Sequence, residues 1–329
     1  MAIVDNFGRA ISEIALPFFI NMLCLKSTSL NPYFNIAAEE YLLRSFTDDI
    51  FCVYRNSPSA IVGKHQNAIG EINFKYAQAN GIDVVRRISG GGAVYHDLEN
   101  VNFCFIRNGE QGALVDFKGF TKPIVEMLLS LGIEAKFEGN NSLTVNGLKV
   151  SGNAEHVYKQ HVMHHGTLLF CTDLSVLASM LYVSEDRYSS ERAVKSVRSS
   201  TANISDFLTN DFSVEMFADY LFNFMLKRSG DATQYSFIQH DKLQIEALIS
   251  EKYRKWEWNF GYSPACSLNR TIIFDDQRLE VGLIVEKGII VDATVNGIPK
   301  SIEIKELENC LVGLPHSVGS IEKPLKNAN

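Results

Sequence analysis

The sequence predicts an α+β fold, a large domain followed by a small one at the C-terminal end. Three observations predict it. Through about residue 250, runs with strand alternation are interspersed with runs at helical period. From Trp256 the texture changes to short strands, "RTIIF" and "LEVGLIVEKGIIVDATVNG", closed by one short helix, "IKELENCLVG". Between the strand-like runs "IDVVRRI" and "NVNFCFI" stand three consecutive glycines, Gly90 to Gly92. The chain has 329 residues, enough for two domains at roughly 150 residues each.

The elements follow in order. "IALPFFINMLCL" (14–25) is apolar but too short to span a bilayer, and its second half reads as the first strand. Asp5 and Glu13 are wrong for the basic start of a signal peptide. In "STSLNPYFNIAAEEYLL", Asn31 suits an N-cap and Pro32 the first helical position. Phe34, Ala37, Ala38, Tyr41 and Leu42 then share one helical face. "IFCVYRN" and "SAIVGKHQN" read as strands about the turn Asn56-Ser57-Pro58, and "EINFKYAQANG" as a helix stopped by Gly81. "FKGFTKPIVEMLLSLG" is a helix ending at Gly132; "HHGTLLFC" is a strand. The polar stretch 228–242 reads as the linker. The division is therefore 1–245, linker included, and 246–329.

Composition narrows the function. Hydrophobic residues make up 46% and charged residues 21%, the balance of a globular chain with a sizeable core. A net charge of −7 argues against bulk binding to nucleic acid or anionic membrane and leaves room for local basic patches. The six cysteines are scattered without a CxxC pair, most of them inside apolar runs, which fits a reducing, cytoplasmic compartment.

The glycine run is neither a P-loop nor a dinucleotide fingerprint, since both need a helix after the glycines. A strand–loop–strand can still wrap an anion with successive N–H groups. The residues leave two readings open, a ligand loop and a structural turn. Arg86 and Arg87 favour the first. Neighbours on a strand point to opposite faces, so one arginine can face the ligand and the other is expected in a salt bridge.

"SLTVNGLKVSG" (142–152) reads as a hairpin about Asn146-Gly147. Its expected pairs are Val145 with Leu148, Thr144 with Lys149, Leu143 with Val150, and Ser142 with Ser151. Leu143, Val145, Leu148 and Val150 would form an apolar side, and Ser142, Thr144, Lys149 and Ser151 a polar one. Lys149 on that polar side reads either as a solvated lysine or as a charge serving the nearby loop. The histidines of "HVYKQHVMHHG" invite a metal, but neither HExxH nor a cysteine pair accompanies them. Cys171 would lie about 20 Å along the strand from His165, too far for activation, so it is expected in the core.

Taken together, these stretches resemble the lipoate–protein ligase A family of the biotin/lipoate ligase superfamily. The resemblance rests on "NPYFNIAAEEYLL", "YRNSPSAIVGKHQN", "RRISGGGAVYHDLENVNFCF", "LKVSGNAEHVYKQHVMHHGTLLF", "SVRSSTANI" and "KWEWNFGYSPA", in the family's order. It implies a large mixed-sheet catalytic domain of the biotin/lipoate ligase type with a small α+β accessory domain. It also implies an ATP-dependent ligase that activates lipoic acid to lipoyl-AMP, with Mg²⁺ on the nucleotide. The acyl group would pass to a lysine of apo lipoyl domains in 2-oxoacid dehydrogenase E2 subunits or of glycine cleavage H protein.

By the same resemblance, Arg87, Ser89, Gly92, Ala93, Val94, Tyr95, Lys149, Ser151, Gly152 and Thr167 would bind ATP and the adenylate. Lys149 would be the catalytic charge. Arg55, Gly63, Lys64, His65, Lys149 and His165 would bind the acyl substrate. No protein metal ligand is implied. Two departures stand out: Asn140-Asn141 where many members have Asn-Asp, and Ser199-Ser200 where they often have Ser-Arg. A transferase using a preformed activated acyl donor, and a non-catalytic lipoate or nucleotide-binding protein, are the rival readings. Lys159, Arg187, Arg192, Lys195 and Arg198 form a candidate basic patch for an acidic carrier.

Overall fold

The computed structural model describes residues 22–108, 115–181, 187–189, 193–197, 199–274, 277–297 and 304–316. In chain order the first half runs β1 (Leu23–Lys26), α1 (Pro32–Ser45), β2 (Ile50–Tyr54), β3 (Ser59–Val62), α2 (Ala68–Glu71), α3 (Phe74–Ala79), β4 (Asp83–Arg86), β5 (Val94–His96), β6 (Asn100–Asn108), α4 (Phe117–Ser130) and β7 (Lys136–Glu138). Then follow β8 (Ser142–Val145), β9 (Leu148–Tyr158), β10 (His161–Leu169), α5 (Leu174–Met180), β11 (Arg187–Ser189), α6 (Val214–Arg228), β12 (Thr233–Tyr235) and α7 (Gln239–Leu248). Two π-helical turns, Ile249–Tyr253 and Glu257–Gly261, lead to β13 (Cys266–Phe274), β14 (Gln277–Glu286), β15 (Ile289–Asn296) and α8 (Ile304–Leu311).

The main sheet has eight strands in the order β12-β1-β2-β6-β10-β9-β8-β7. β12, β1 and β2 run parallel and the rest antiparallel, so the sheet is mixed, as the sequence predicts. Its central strands are covered on both faces. Phe51 and Val53 of β2, with Phe103 and Phe105 of β6, pack under α4 and α6. Ile50 and Cys52, with Cys104 and Ile106, pack under α1 and α7. That is why β2 is buried throughout and reads as an unbroken apolar run. A three-stranded sheet, β4-β3-β5, carries the glycine loop between β4 and β5, and a four-stranded sheet, β11-β13-β14-β15, forms the small C-terminal layer.

The start of α1 is as read: Asn31 Oδ1 accepts from the N–H of Tyr33 and Phe34. The helix is nevertheless buried beyond its apolar stripe, with Glu39 and Glu40 each only 2% exposed. The helix expected from Glu71 begins at Phe74 under an Asn73 cap, because Asn67 caps a separate turn over Ala68–Glu71.

Other expectations are corrected. The 228–242 stretch is not a linker, since its residues 233–235 add β12 to the main sheet beside β1. The division after residue 245 falls inside α7, and Ile245, Ile249 and Tyr253 pack in the same core as α1. The hairpin pairs Val145 with Leu148 and Thr144 with Lys149. A bulge then shifts the register, so Leu143 faces Ser151 and Ser142 faces Gly152. Thr144 and Ser151 are consequently buried, and the expected polar side is not a solvated face. β10 ends at Leu169, so Cys171 lies beyond the strand and is exposed, while Cys24, Cys52, Cys104 and Cys266 are buried. Among the described residues, no helix is long and apolar enough to cross a membrane.

Candidate active site

A cavity of about 340 Å³ opens between the glycine loop, β9, β10 and α1. Gly91, Gly92, Ala93 and Val94 form one wall, and Lys149, Gly152, Asn153 and Ala154 of β9 another. His165, Gly166 and Thr167 of β10 line the floor, with Ile36, Tyr54 and Ile61 supplying apolar surface. The segment 194–197 completes the rim.

Arg87 lines the cavity, but the hydrogen bonds of its guanidinium go to protein groups around the loop. Its guanidinium lies behind the loop, where Nη2 donates to the carbonyls of Gly90 (2.6 Å) and Gly92 (2.8 Å) and Nη1 to that of Ile61 (3.1 Å). Its Nε donates to Ser89 Oγ at 2.9 Å. Arg87 therefore fixes the carbonyls of the loop and turns its N–H groups elsewhere. Gly91 holds φ +85°, a conformation open to glycine. At Gly92 a Cβ would meet Ser196 Oγ at 3.1 Å and Ser196 Cα at 3.2 Å, so the missing side chain admits the 193–197 segment.

Arg86 points the opposite way, as strand alternation requires. Among the described residues it makes no salt bridge: its donors reach the carbonyls of Gly63, Lys64, Gln66, Trp258 and Asn259, and Ser263 Oγ. Backbone dipoles converge there in place of a carboxylate.

Two buried networks position the floor. Glu39 Oε2 accepts from His165 Nδ1 at 2.7 Å, and Glu39 Oε1 accepts from the Tyr54 hydroxyl at 2.8 Å. A carboxylate only accepts, so His165 presents Nε2 to the Ser89 hydroxyl at 2.6 Å. In the second, Asn35 Nδ2 donates to Asn56 Oδ1 and Asn56 Nδ2 donates to His96 Nδ1. His96 Nε2 then donates to Thr167 Oγ1 at 2.8 Å, and the Thr167 hydroxyl to Asn102 Oδ1 at 2.9 Å. Burial, reinforced by Arg87 and His165, pushes His96 down to about 3, so it stays neutral and keeps that tautomer.

Lys149 is half-buried on the cavity wall, and its Nζ has no hydrogen-bond partner among the described residues. Its backbone pairs instead, N–H to Ser200 O and C=O to Ala202 N. Gly152 makes room for it, since a Cβ there would lie 3.2 Å from Lys149 Cε and 3.3 Å from Nζ. Desolvation holds the ammonium below the usual lysine range. A partly desolvated, unpaired cation beside a glycine loop is placed for an anion.

The cavity thus gathers Gly92, Ala93, Val94, Lys149, Gly152, His165 and Thr167. Arg87 also lines it, Ser89 stands behind it, and Ser151 is fully buried outside it. Tyr95 points to the opposite side of β5 from Val94, into the core beside α5. Arg55 is away from the cavity, where Nη1 donates to Leu98 O and Glu215 Oε1. Gly63, Lys64 and His65 form the loop beneath the glycine run, and none of the three lines the cavity. Sequence reasoning missed Glu39, Tyr54 and His96. The polar pair Glu39-Glu40 inside an apolar helix was the available signal for the first.

Neighbouring histidines part across the sheet. His164 lies among Phe103, Phe117 and Phe120 on the other face and pairs with Glu155, and among the described residues no group is placed to hold a metal ion. Of the candidate basic patch, Arg192 and Arg198 lie outside the described residues, as does the Arg187 side chain. Lys195 lines the cavity, and Lys159 lies over the Tyr158 ring.

Residues 31–225 match the family described as "Lipoyl protein ligase A/B catalytic domain". The chain is 38% identical over 314 residues to "Lipoate-protein ligase LplJ" of Bacillus subtilis, covering 94% of this chain and 95% of that protein. Among solved structures, a P. falciparum protein in complex with lipoate matches at TM-score 0.63 and 27% identity, covering 94% and 95% of the two chains. A lipoate-protein ligase A bound with ATP matches at TM-score 0.62 and 27% identity, covering 74% of this chain and 99% of that one. The bi-partite lipoate protein ligase of Thermoplasma acidophilum, studied with its E2 lipoyl domain, matches equally at 0.62 and 27%, covering 74% and 97%.

Proposed function

The chain belongs to the lipoyl protein ligase A/B catalytic-domain family, and from that premise we propose how its site works. It is an ATP-dependent lipoate–protein ligase. It activates lipoate to lipoyl-AMP and transfers the lipoyl group to a lysine of apo lipoyl domains. Glycine cleavage H protein is a further proposed acceptor, and the cytoplasm the proposed compartment.

The reading is carried by the unpaired Lys149 ammonium facing the glycine loop across the cavity. Two anions, the lipoate carboxylate and the ATP triphosphate, must meet before adenylation, and fixed positive charge offsets their repulsion. The carboxylate attacks the α-phosphorus, the acyl-phosphate bond forms, and pyrophosphate leaves. The carrier lysine, as the free amine, then attacks the acyl carbonyl; AMP leaves and the amine proton is lost to solvent. Lys149 stabilises the charge on the phosphoryl oxygens in both steps and forms no covalent bond to substrate.

Ile36, Tyr54, Ile61 and Val94 suit the hydrocarbon chain and dithiolane of lipoate. Among the described residues no acidic side chain lines the cavity, so Mg²⁺ would be held by the nucleotide's own phosphates. When bound, Mg²⁺ supplies charge neutralisation to the departing pyrophosphate.

The test is pyrophosphate release with lipoate and ATP, with and without an apo lipoyl domain. Release without the carrier, followed by acylation when it is added, is expected. Acylation from preformed lipoyl-AMP alone would move the reading to a transferase, and ligand binding without turnover to a binding protein. Lipoate with Mg-ATP should also raise the melting temperature while biotin with Mg-ATP should not.

A further inference from the structure

Arg86 is fully buried, yet its guanidinium meets no carboxylate among the described residues. A buried ion is tolerated only where polar groups replace its water. Here they come from two segments far apart in sequence. Nη1 donates to the carbonyls of Gly63 (2.9 Å), Lys64 (3.1 Å) and Gln66 (2.7 Å). Nε donates to Trp258 O (2.9 Å), and Nη2 to Asn259 O (2.8 Å) and Ser263 Oγ (2.9 Å). The backbone of Arg86 is held from the same side, its N–H by Asn259 Oδ1 and its C=O by Trp258 Nε1.

Each segment leads somewhere functional. The 63–66 loop is pressed against the glycine run, for a Cβ on Gly63 would lie 2.1 Å from Gly91 O. Gln66 Nε2 donates to Ser196 Oγ (3.0 Å), and that oxygen accepts from Ala93 N (3.0 Å) on the cavity wall. On the other side, Trp258 and Asn259 lie in the second π-helical turn, and Ser263 is three residues before β13. Asn67 Nδ2 reaches Cys266 Sγ at the start of that strand.

We infer that Arg86 is a positioning residue that locks the 63–66 loop, and through Gln66 and Ser196 the cavity's glycine wall, to the Trp258–Ser263 segment at the root of the small sheet. Only a planar fork with five donors spans both segments. The ligand loop is therefore ordered only while the 258–263 segment is docked. Arg86 itself touches no substrate. This rests on the ligase reading for its kinetic test and on geometry alone for its structural one.

The experiment uses the whole chain carrying Ser263→Ala, Gln66→Ala, or both, with Ser263→Thr as the conservative variant. Amide hydrogen exchange at 63–67 and 90–93 is measured beside KM and kcat for ATP-dependent pyrophosphate release. Ser263→Ala should speed exchange at 63–67 and raise the KM for ATP about tenfold with kcat within about twofold, short of the roughly hundredfold that a displaced reacting group costs. Ser263→Thr should restore both. The double variant should be no worse than the worse single one, because both sit on one path. Unchanged exchange at 63–67 in Ser263→Ala, or multiplicative effects in the double variant, would overturn the inference. A wild-type chain that releases no pyrophosphate would sink the ligase reading, and the exchange data would then decide this one alone.

Discussion

His165 Nδ1 donates to Glu39 Oε2 at 2.7 Å, joining the floor of the cavity to the middle of α1. The pair is buried and continues through Ser89 to Arg87, so one carboxylate orients the histidine and, at two removes, the glycine loop. Glu39→Gln keeps the shape but presents an amide that can turn its N–H to His165 Nδ1 and so favour the other tautomer. Pyrophosphate release should fall about tenfold to a hundredfold, the scale of a lost charged hydrogen bond at about 1.5–3 kcal/mol. The measurement is kcat/KM for lipoate. A change below about twofold would show that His165 is oriented without Glu39.

Lys149→Ala should leave stability unchanged or slightly raised, because the ammonium is partly desolvated and has no partner among the described residues. Its loss from the reacting site should cost about 10² to 10³ in rate. Lys149→Arg should recover only part, since a broad planar group replaces a compact one. Lys159 lies in a left-handed turn at φ +55°, so Lys159→Asn is the control and should retain adenylation. Near wild-type release from folded Lys149→Ala would remove this lysine from the mechanism.

Gly92→Ala and Gly63→Ala should differ. At Gly92 the new methyl meets Ser196 at 3.1–3.3 Å, so the 193–197 segment must shift while the core stays intact. Gly63→Ala drives a methyl into Gly91 O at 2.1 Å, where backbone must move. Differential scanning calorimetry should show little change for the first and a clear fall for the second. Both should weaken ATP binding in a titration. An unchanged affinity in Gly92→Ala would mean that the rim does not contact nucleotide.

His96 sets a pH dependence. Its folded value of about 3 lies below the ordinary 6.5, so the unfolded chain takes up a proton that the folded chain cannot. Its stabilisation is complete above pH 6.5 and is lost as pH falls from there toward 3. Over that window it contributes a slope of about 1.4 kcal/mol per pH unit. His96→Asn will lower stability at pH 7 by breaking the link to Thr167, but should flatten the decline from pH 6.5 to 5 by about one proton. Denaturant melts across that range give the slope. An unaltered slope would mean that His96 is protonated in the fold.

The sequence by itself determined the local architecture and the chemistry at hand. Asn31-Pro32 starts α1, Asn146-Gly147 turns the hairpin, and the strand–glycine–strand run marks the loop, because caps, turns and glycine conformations are set by a few adjacent residues. Strand alternation likewise separates Arg86 from Arg87 and His164 from His165. Only the tertiary structure decided what those side chains meet. Arg87 holds carbonyls behind the loop, and Arg86 sits among the carbonyls of segments more than 170 positions apart in sequence. Glu39 on a helix reaches a histidine 126 residues on, and a polar stretch that looked like a linker became an edge strand beside β1. No local pattern encodes such pairs. A buried charge takes whichever polar groups the packed sheet and helices bring within about 3 Å, and that choice is made by the fold as a whole.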